Sequence, residues 1–245
     1  MDITLDDLNE FKKCSLRYKL TKIDKLSSEL DATDGLESAL ASTINYMYYS
    51  MEDGKLPTMT MLKEKFASIF YGDLDLYDIK LNGDREKRAK ELEAVGILTK
   101  LHRKETYRPS NIVSVNLDFR IPFETDLFLR DKLDLVRELD DGRYELVCFR
   151  TGKQKYDHFW QKTDLGVTLH ALAFESIFKK PADKITVENL YTGKSYPIDR
   201  TRKDYKRLYK SIKMLKKSMD EGWFYPNESY RCNRCPVKDI CMEWR

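Results

Sequence analysis

Asp131-Lys132-Leu133-Asp134-Leu135-Val136-Arg137-Glu138-Leu139-Asp140-Asp141-Gly142-Arg143-Tyr144-Glu145-Leu146-Val147-Cys148-Phe149-Arg150-Thr151-Gly152-Lys153 is the stretch that decides the fold. Leucine stands at every second position through Leu133 and Leu135, and in the run just before at Leu127 and Leu129. That is the period of a strand with one face buried. Asp141-Gly142 then supplies a hairpin signal, because glycine takes a positive φ without steric cost. The chain returns along Tyr144 to Arg150, where Leu146, Cys148 and Arg150 share one face and Glu145 points to the other. Upstream, Ile112-Val113-Ser114-Val115-Asn116-Leu117-Asp118-Phe119 alternates in the same way, so the middle of the chain reads as an antiparallel meander.

On both sides the period becomes helical. An amphipathic helix is predicted from about Lys155 to Phe178, then a strand from Ile185 to Tyr191 and a helix from Thr201 to Met219. Before the strands, a first helix opens on Thr4 with Asp7 in its first turn. It carries Leu5, Leu8, Phe11, Leu16 and Leu20 on one face and Cys14 near its middle. A second runs from Asp34-Gly35 to Asp53-Gly54, a third starts at Pro57-Thr58, and a charged fourth spans roughly Asp84 to Lys104. Helices, a meander, a crossover helix and a further strand make an α/β (α+β) core with a mixed sheet. One 245-residue domain is expected, with a helical region over 1–105, the core over 106–200, and a basic helix with a cysteine loop over 201–245.

Three of the five cysteines, Cys232, Cys235 and Cys241, stand at C-x2-C-x5-C spacing. Three soft ligands on one short loop point to a bound metal, and a tetrahedral site needs a fourth. Cys14, on a polar amphipathic stretch, suits that place better than Cys148, inside an apolar strand; it would tie the first helix to the last loop. The N-terminal residues are acidic and polar with no secretory signal, and no apolar run approaches bilayer-spanning length. The expectation is a soluble, cytoplasmic protein without a membrane partner, whose reduced thiols serve a metal. The net charge of +3, from 44 basic and 41 acidic residues, does not announce a nucleic-acid binder. Its distribution says more. Arg200, Arg202, Lys203, Lys206, Arg207, Lys210, Lys213, Lys216 and Lys217 are opposed within their helix only by Asp204, and Tyr205 and Tyr209 interleave aromatic faces. Such a stripe suits single-stranded DNA or a duplex end, gripped without sequence preference; a solvated face is the plainer reading. Arg17, Tyr18 and Lys19 would extend the surface.

Asp131-Lys132-Leu133-Asp134-Leu135-Val136, the turn at Asp140-Asp141-Gly142, and Glu145 through Lys153 resemble the G-x-I-D-x-(I/V)…D-G…(I/V)-(I/V)-D-Y-K-T-G-K core of RecB-type PD-(D/E)XK nucleases. With a cysteine on the first helix and C-x2-C-x5-C at the end, the chain is similar to the iron–sulfur branch of that superfamily. The branch contains the AddB nuclease domain, the CRISPR-associated adaptation exonucleases and many phage exonucleases. The resemblance spans essentially the whole chain in order. It implies a restriction-endonuclease-like core and a [4Fe–4S] cluster on Cys14, Cys232, Cys235 and Cys241 with a structural rather than redox role. Zinc on the same four thiols is the rival, since all-cysteine zinc sites also use C-x2-C pairs. Cys235-Pro236 and ligands over two hundred residues apart look more like the iron–sulfur clasp.

Hydrolysis in that superfamily needs hard carboxylates for Mg²⁺ or Mn²⁺ and a lysine that orients or activates water. The resemblance puts Asp134 at the first carboxylate, Cys148 at the second and Arg150 at the lysine. It puts Asn45 at an upstream histidine, and Gly166 and His170 at a glutamine and a tyrosine of the crossover helix. Asp134 alone keeps the expected residue. A thiol is a poor Mg²⁺ ligand, and a guanidinium is never deprotonated to act as a base. The implied function is a catalytically degenerate nuclease-fold iron–sulfur protein that binds DNA or serves as a subunit of a DNA-processing complex. The alternatives are an active metal-dependent DNA exonuclease with migrated ligands, for instance Asp134 with Glu175, and a protein-interaction scaffold. Taken singly, Cys148 reads as an apolar filler, Asp134 as a surface strand residue, His170 as a hydrogen-bonded core histidine, and His102 and His158 as surface residues.

Overall fold

Alternation in the middle of the chain produces the expected meander. The computed structural model describes residues 1–26, 32–76, 83–151 and 156–244, so Gly152, Lys153 and Lys155 lie outside the described residues. The strands are β1 (Asp2–Ile3), β2 (Asn111–Glu124), β3 (Leu127–Glu138), β4 (Tyr144–Arg150), β5 (Lys184–Asn189) and β6 (Lys194–Pro197). β2 and β3 pair antiparallel along their whole length, from Asn111 opposite Glu138 to Glu124 opposite Leu127. β3 and β4 pair antiparallel with Leu135 opposite Val147 and Val136 opposite Leu146. Their turn closes where the Leu139 N–H donates to the Arg143 carbonyl at 2.8 Å, with Gly142 at φ 77. β4 and β5 run parallel, Cys148 opposite Val187, which demands a crossover. β6 adds antiparallel to β5, and β1 adds parallel to β3 through Ile3 and Leu129. The sheet is therefore mixed.

The helices are α1 (Leu5–Lys13), α2 (Ser15–Tyr18) with a π-helical turn at Lys19–Ile23, α3 (Ala32–Glu52), α4 (Met59–Leu76), α5 (Asp84–Tyr107), α6 (His158–Thr163), α7 (Leu165–Phe178), α8 (Arg202–Glu221) and α9 (Lys238–Met242). Two helices predicted as continuous are broken. The first stops at Cys14, whose backbone is extended (φ −166, ψ 113). There the Leu16 N–H and the Ser15 hydroxyl each donate to the Tyr225 carbonyl at 3.0 Å, so the C-terminal tail outcompetes helical continuation. The crossover stops at Asp164 (ψ 102), whose carboxylate accepts the Val167 N–H at 3.1 Å and caps α7.

The sheet lies between two helical layers. Val136, Leu146 and Cys148 pack with Val167, Leu169 and Phe174 of α7, Leu208, Ile212 and Leu215 of α8, and Leu8 of α1. Leu135 and Val147 pack with Leu40, Ile44 and Met47 of α3 and with apolar side chains of α4 and α5. Among the described residues no helix is long and apolar enough to cross a membrane.

Candidate functional site

One step beyond the Leu135–Val147 pair stand Asp134 and Cys148. The Phe149 N–H donates to Asp134 Oδ2 at 2.9 Å, which fixes that carboxylate. Cys148 is fully buried, and its Sγ lies 3.4 Å from Nδ1 of His170, which α7 lays over the sheet. The same Nδ1 is 3.9 Å from Asp134 Oδ2. Ligand atoms of Asp134, Cys148 and His170 all lie within 4.8 Å of one another. Burial pushes the Cys148 thiol up and the His170 imidazole down, so both are neutral near pH 7.

Arg150 ends β4 and is locked in place. Its Nε and Nη2 donate to the two oxygens of Asp164 at 2.9 and 3.0 Å, and Nη1 donates to the Phe149 carbonyl at 2.6 Å. The Tyr156 hydroxyl donates to Asp164 at 2.9 Å. Burial opposes ionisation of Asp164, but the charge and hydrogen bonds of Arg150 outweigh it and hold the carboxyl at about 2. Gly166 makes the packing possible: a Cβ there would stand 2.9 Å from Arg150 Nη2 and 2.8 Å from Leu5 Cδ2. Asp164 escaped the sequence reading; its one signal was an acidic residue interrupting an otherwise apolar helix face. Asn45, on α3, is half-buried and does not line the clefts around Arg150.

Asp134, Arg150 and His170 line a cleft of about 480 Å³ that also carries Asp118 and Asp131. A second cleft, about 440 Å³, exposes Arg150 beside Lys12, Tyr156 and Trp160. It shares Lys12 and Leu165 with a groove of about 480 Å³ between α1 and α8, lined by Lys203, Lys206, Arg207 and Lys210. Those four cations make no ion pair among the described residues, whereas Lys213 is paired with Glu124 and Lys216 with Asp220. Arg202 is exposed outside the groove. Arg200, expected among the DNA-contacting residues, is half-buried, and its Nη2 donates to the carbonyls of Gln161 (3.0 Å) and Asp164 (3.3 Å), where it braces the break between α6 and α7. Tyr205 packs into the core, and Tyr209 is exposed against Phe123. Tyr18 is buried, Arg17 is half-exposed and pairs with Glu10, and Lys19 pairs with Asp24. Trp160, exposed in the Arg150 cleft, was not anticipated.

At the far end, Cys14, Cys232, Cys235 and Cys241 line one cavity of about 310 Å³, with Lys13, Arg17, Arg231 and Lys238 around it. The N–H groups of Asn227 and Ser229 donate to Cys14 Sγ and Cys232 Sγ at 3.3 and 3.4 Å. Burial, then the neighbouring Cys14, Cys235 and Cys232, hold the Cys241 thiol above its ordinary value. Four soft donors lining one cavity, with cations around it, could hold a metal or metal–sulfur centre.

Residues 3–242 match the sequence model of the PD-(D/E)XK nuclease superfamily. No curated protein matches the chain. Among solved structures, the chain is similar to a candidate exonuclease from Eubacterium rectale, with TM-score 0.55 and 11% identity over 99% of this chain and 87% of that one. That is a likeness of fold. SSO0001 aligns over 93% of each chain at 14% identity and TM-score 0.37.

Proposed function

The chain belongs to the PD-(D/E)XK nuclease superfamily, and from that premise we propose a nucleic-acid-binding protein in which the superfamily's Mg²⁺- or Mn²⁺-dependent hydrolysis has been given up. It acts as a DNA-holding subunit of a DNA-processing complex. The observation that carries this reading is the lock on Arg150, whose guanidinium is committed to both oxygens of Asp164. A guanidinium so held neither takes a proton from water nor swings to position one. Beside it, Cys148 offers a buried neutral sulfur where Mg²⁺ requires oxygen, leaving Asp134 as the hard ligand of the cluster. Glu145 does not replace Cys148: it is bound to Arg137 at 2.7 Å and Lys184 at 2.9 Å. Glu175 is exposed and outside the cluster.

Phosphates of a single strand or a duplex end would run along Lys203, Lys206, Arg207 and Lys210 to Lys12, with Trp160 offering a ring to a terminal base. Cys14, Cys232, Cys235 and Cys241 would hold a [4Fe–4S] cluster, supported by their shared cavity and by N–H donors to sulfur. Such a group supplies cross-links between the two ends of the fold.

The test is retention and digestion of end-labelled single- and double-stranded DNA with Mg²⁺ or Mn²⁺. Binding without shortening is expected. Shortening that Asp134→Ala abolishes would establish the second reading, an active exonuclease, which Asp118 and Asp131 favour because they line the same cleft as Asp134.

A further inference from the structure

We propose that Asp134, Cys148 and His170 form a site for a borderline-soft divalent cation of the Zn²⁺ class, where the superfamily holds hard Mg²⁺ or Mn²⁺. The inference rests on the reading of Cys148 as the replacement of a hard ligand, and it stands whether or not the protein binds DNA. A carboxylate, a thiol and an imidazole are together a poor set for Mg²⁺ and a good one for Zn²⁺.

The geometry matches the chemistry. With ordinary Zn–S, Zn–N and Zn–O distances and tetrahedral angles, sulfur and nitrogen stand about 3.6 Å apart, and nitrogen and oxygen about 3.4 Å apart. Cys148 Sγ is 3.4 Å from His170 Nδ1. Asp134 Oδ2 is 3.9 Å from the same atom. Those two edges stand within about half an ångström of the tetrahedral values, and the third, between Cys148 and Asp134, lies within 4.8 Å. The donors stand on β3, β4 and α7, and Cys148 and His170 are 0% and 3% exposed. The ring edge of Phe119 restrains His170 at a centroid distance of 6.4 Å, and the Phe149 N–H orients Asp134 at 2.9 Å. Supports of this kind tune a metal site. An ion enters from the cleft that Asp134 and His170 line, and a water or a phosphate oxygen completes the shell. The charge of Arg150, which borders the same cleft, is balanced by Asp164. On binding, the Cys148 S–H bond breaks, its proton goes to solvent, and the thiolate electron pair forms the S–metal bond. The thiolate and carboxylate then neutralise the two positive charges of the ion.

The experiment uses the full chain, purified anaerobically with its clasp group in place. Zn²⁺ content is measured, and Co²⁺ is titrated as a spectroscopic probe, in wild type, Cys148→Ser, His170→Ala and Asp134→Asn. The wild type should bind one equivalent of Zn²⁺ more than Cys148→Ser or His170→Ala while iron stays unchanged. Its Co²⁺ complex should show a thiolate charge-transfer band that Cys148→Ser lacks. Asp134 is only half-buried, so Asp134→Asn keeps the fold and should weaken Zn²⁺ by at least roughly tenfold. Equal Zn²⁺ affinity in the wild type and Asp134→Asn, or displacement of Co²⁺ by an equal concentration of Mg²⁺, would overturn the proposal. Either result would leave a hydrogen-bonded Cys148–His170 pair in the core, and neither bears on DNA retention.

Discussion

Asp164 ties a side-chain pair to a definite pH range. Its carboxyl sits at about 2 in the folded protein against an ordinary 3.8, chiefly because Arg150 outweighs the cost of burial. A depressed folded value contributes stability that is complete above about pH 4 and is lost as pH falls toward 2. The difference amounts to about 2 kcal/mol. Denaturant titrations from about pH 5 to pH 2 should show the wild type losing that much relative to Asp164→Asn; a constant gap would mean that Arg150 is not its partner in solution. At neutral pH, Asp164→Asn should cost about 3 kcal/mol, because a buried guanidinium loses its counter-charge. Gly166→Ala should cost about 1–3 kcal/mol in the same titration, since a methyl group 2.9 Å from Nη2 must push Arg150 off the start of α7. The place of Arg150 at the end of β4 was legible in the sequence because the strand pattern fixes it. Its lock was not. Asp164 meets Arg150 only after the crossover folds back, and in sequence it reads as one polar residue on an amphipathic helix.

Helix α8 shows what an element can and cannot reveal before it folds. Its 3.6-residue period was plain: Leu208, Ile212 and Leu215 are buried and the basic residues face outward. Which cations remain free is a tertiary fact, since Lys213 is neutralised by Glu124 on β2. The breaks at Cys14 and Asp164 were hidden for a related reason: the groups that compete there, the Tyr225 carbonyl and the Arg150 guanidinium, come from distant stretches of the chain. The free cations make a prediction. Changing Lys206, Arg207 and Lys210 together to Glu should weaken all DNA sequences alike, and the slope of log affinity against log salt should fall by about 0.9 per lost contact on duplex or about 0.7 on single strands. The side chains are exposed, so circular dichroism should be unchanged. Reversing Lys216 and Lys217, which face Asp220 and Glu221, should do much less. An unaltered salt slope in the triple variant would place the DNA on another surface.

At the scale of the whole molecule, the two ends of the chain meet. The cysteine spacing announced this because C-x2-C-x5-C is local and Cys14 needs only to arrive. The parallel docking of β1 on β3 was beyond reading, since two residues carry no period. Cys14 and Cys232 are separated by more than two hundred residues, so a cross-link between them removes much freedom from the unfolded chain. By the chain-entropy argument used for disulfides, the stabilisation is about 5 kcal/mol. Without a cross-link the junction rests on a small apolar cluster of Leu16, Leu20 and Val237 and on a handful of hydrogen bonds from Ser15, Leu16 and Asn227. Loss of the proposed cluster should therefore open the tail without dissolving the sheet. Anaerobic protein should be brown and contain iron. Cys14→Ala, Cys232→Ala, Cys235→Ala and Cys241→Ala should each lose the iron, lower the melting temperature and expose residues 223–244 to protease. Cys148→Ala should keep its iron, because that thiol lies in the core between β4 and α7. Stoichiometric zinc that depends on Cys232, with no iron, would replace the cluster by a four-thiolate zinc clasp while keeping the same mechanics. Protease resistance unchanged in all four variants would show that the bound group does not hold the ends together.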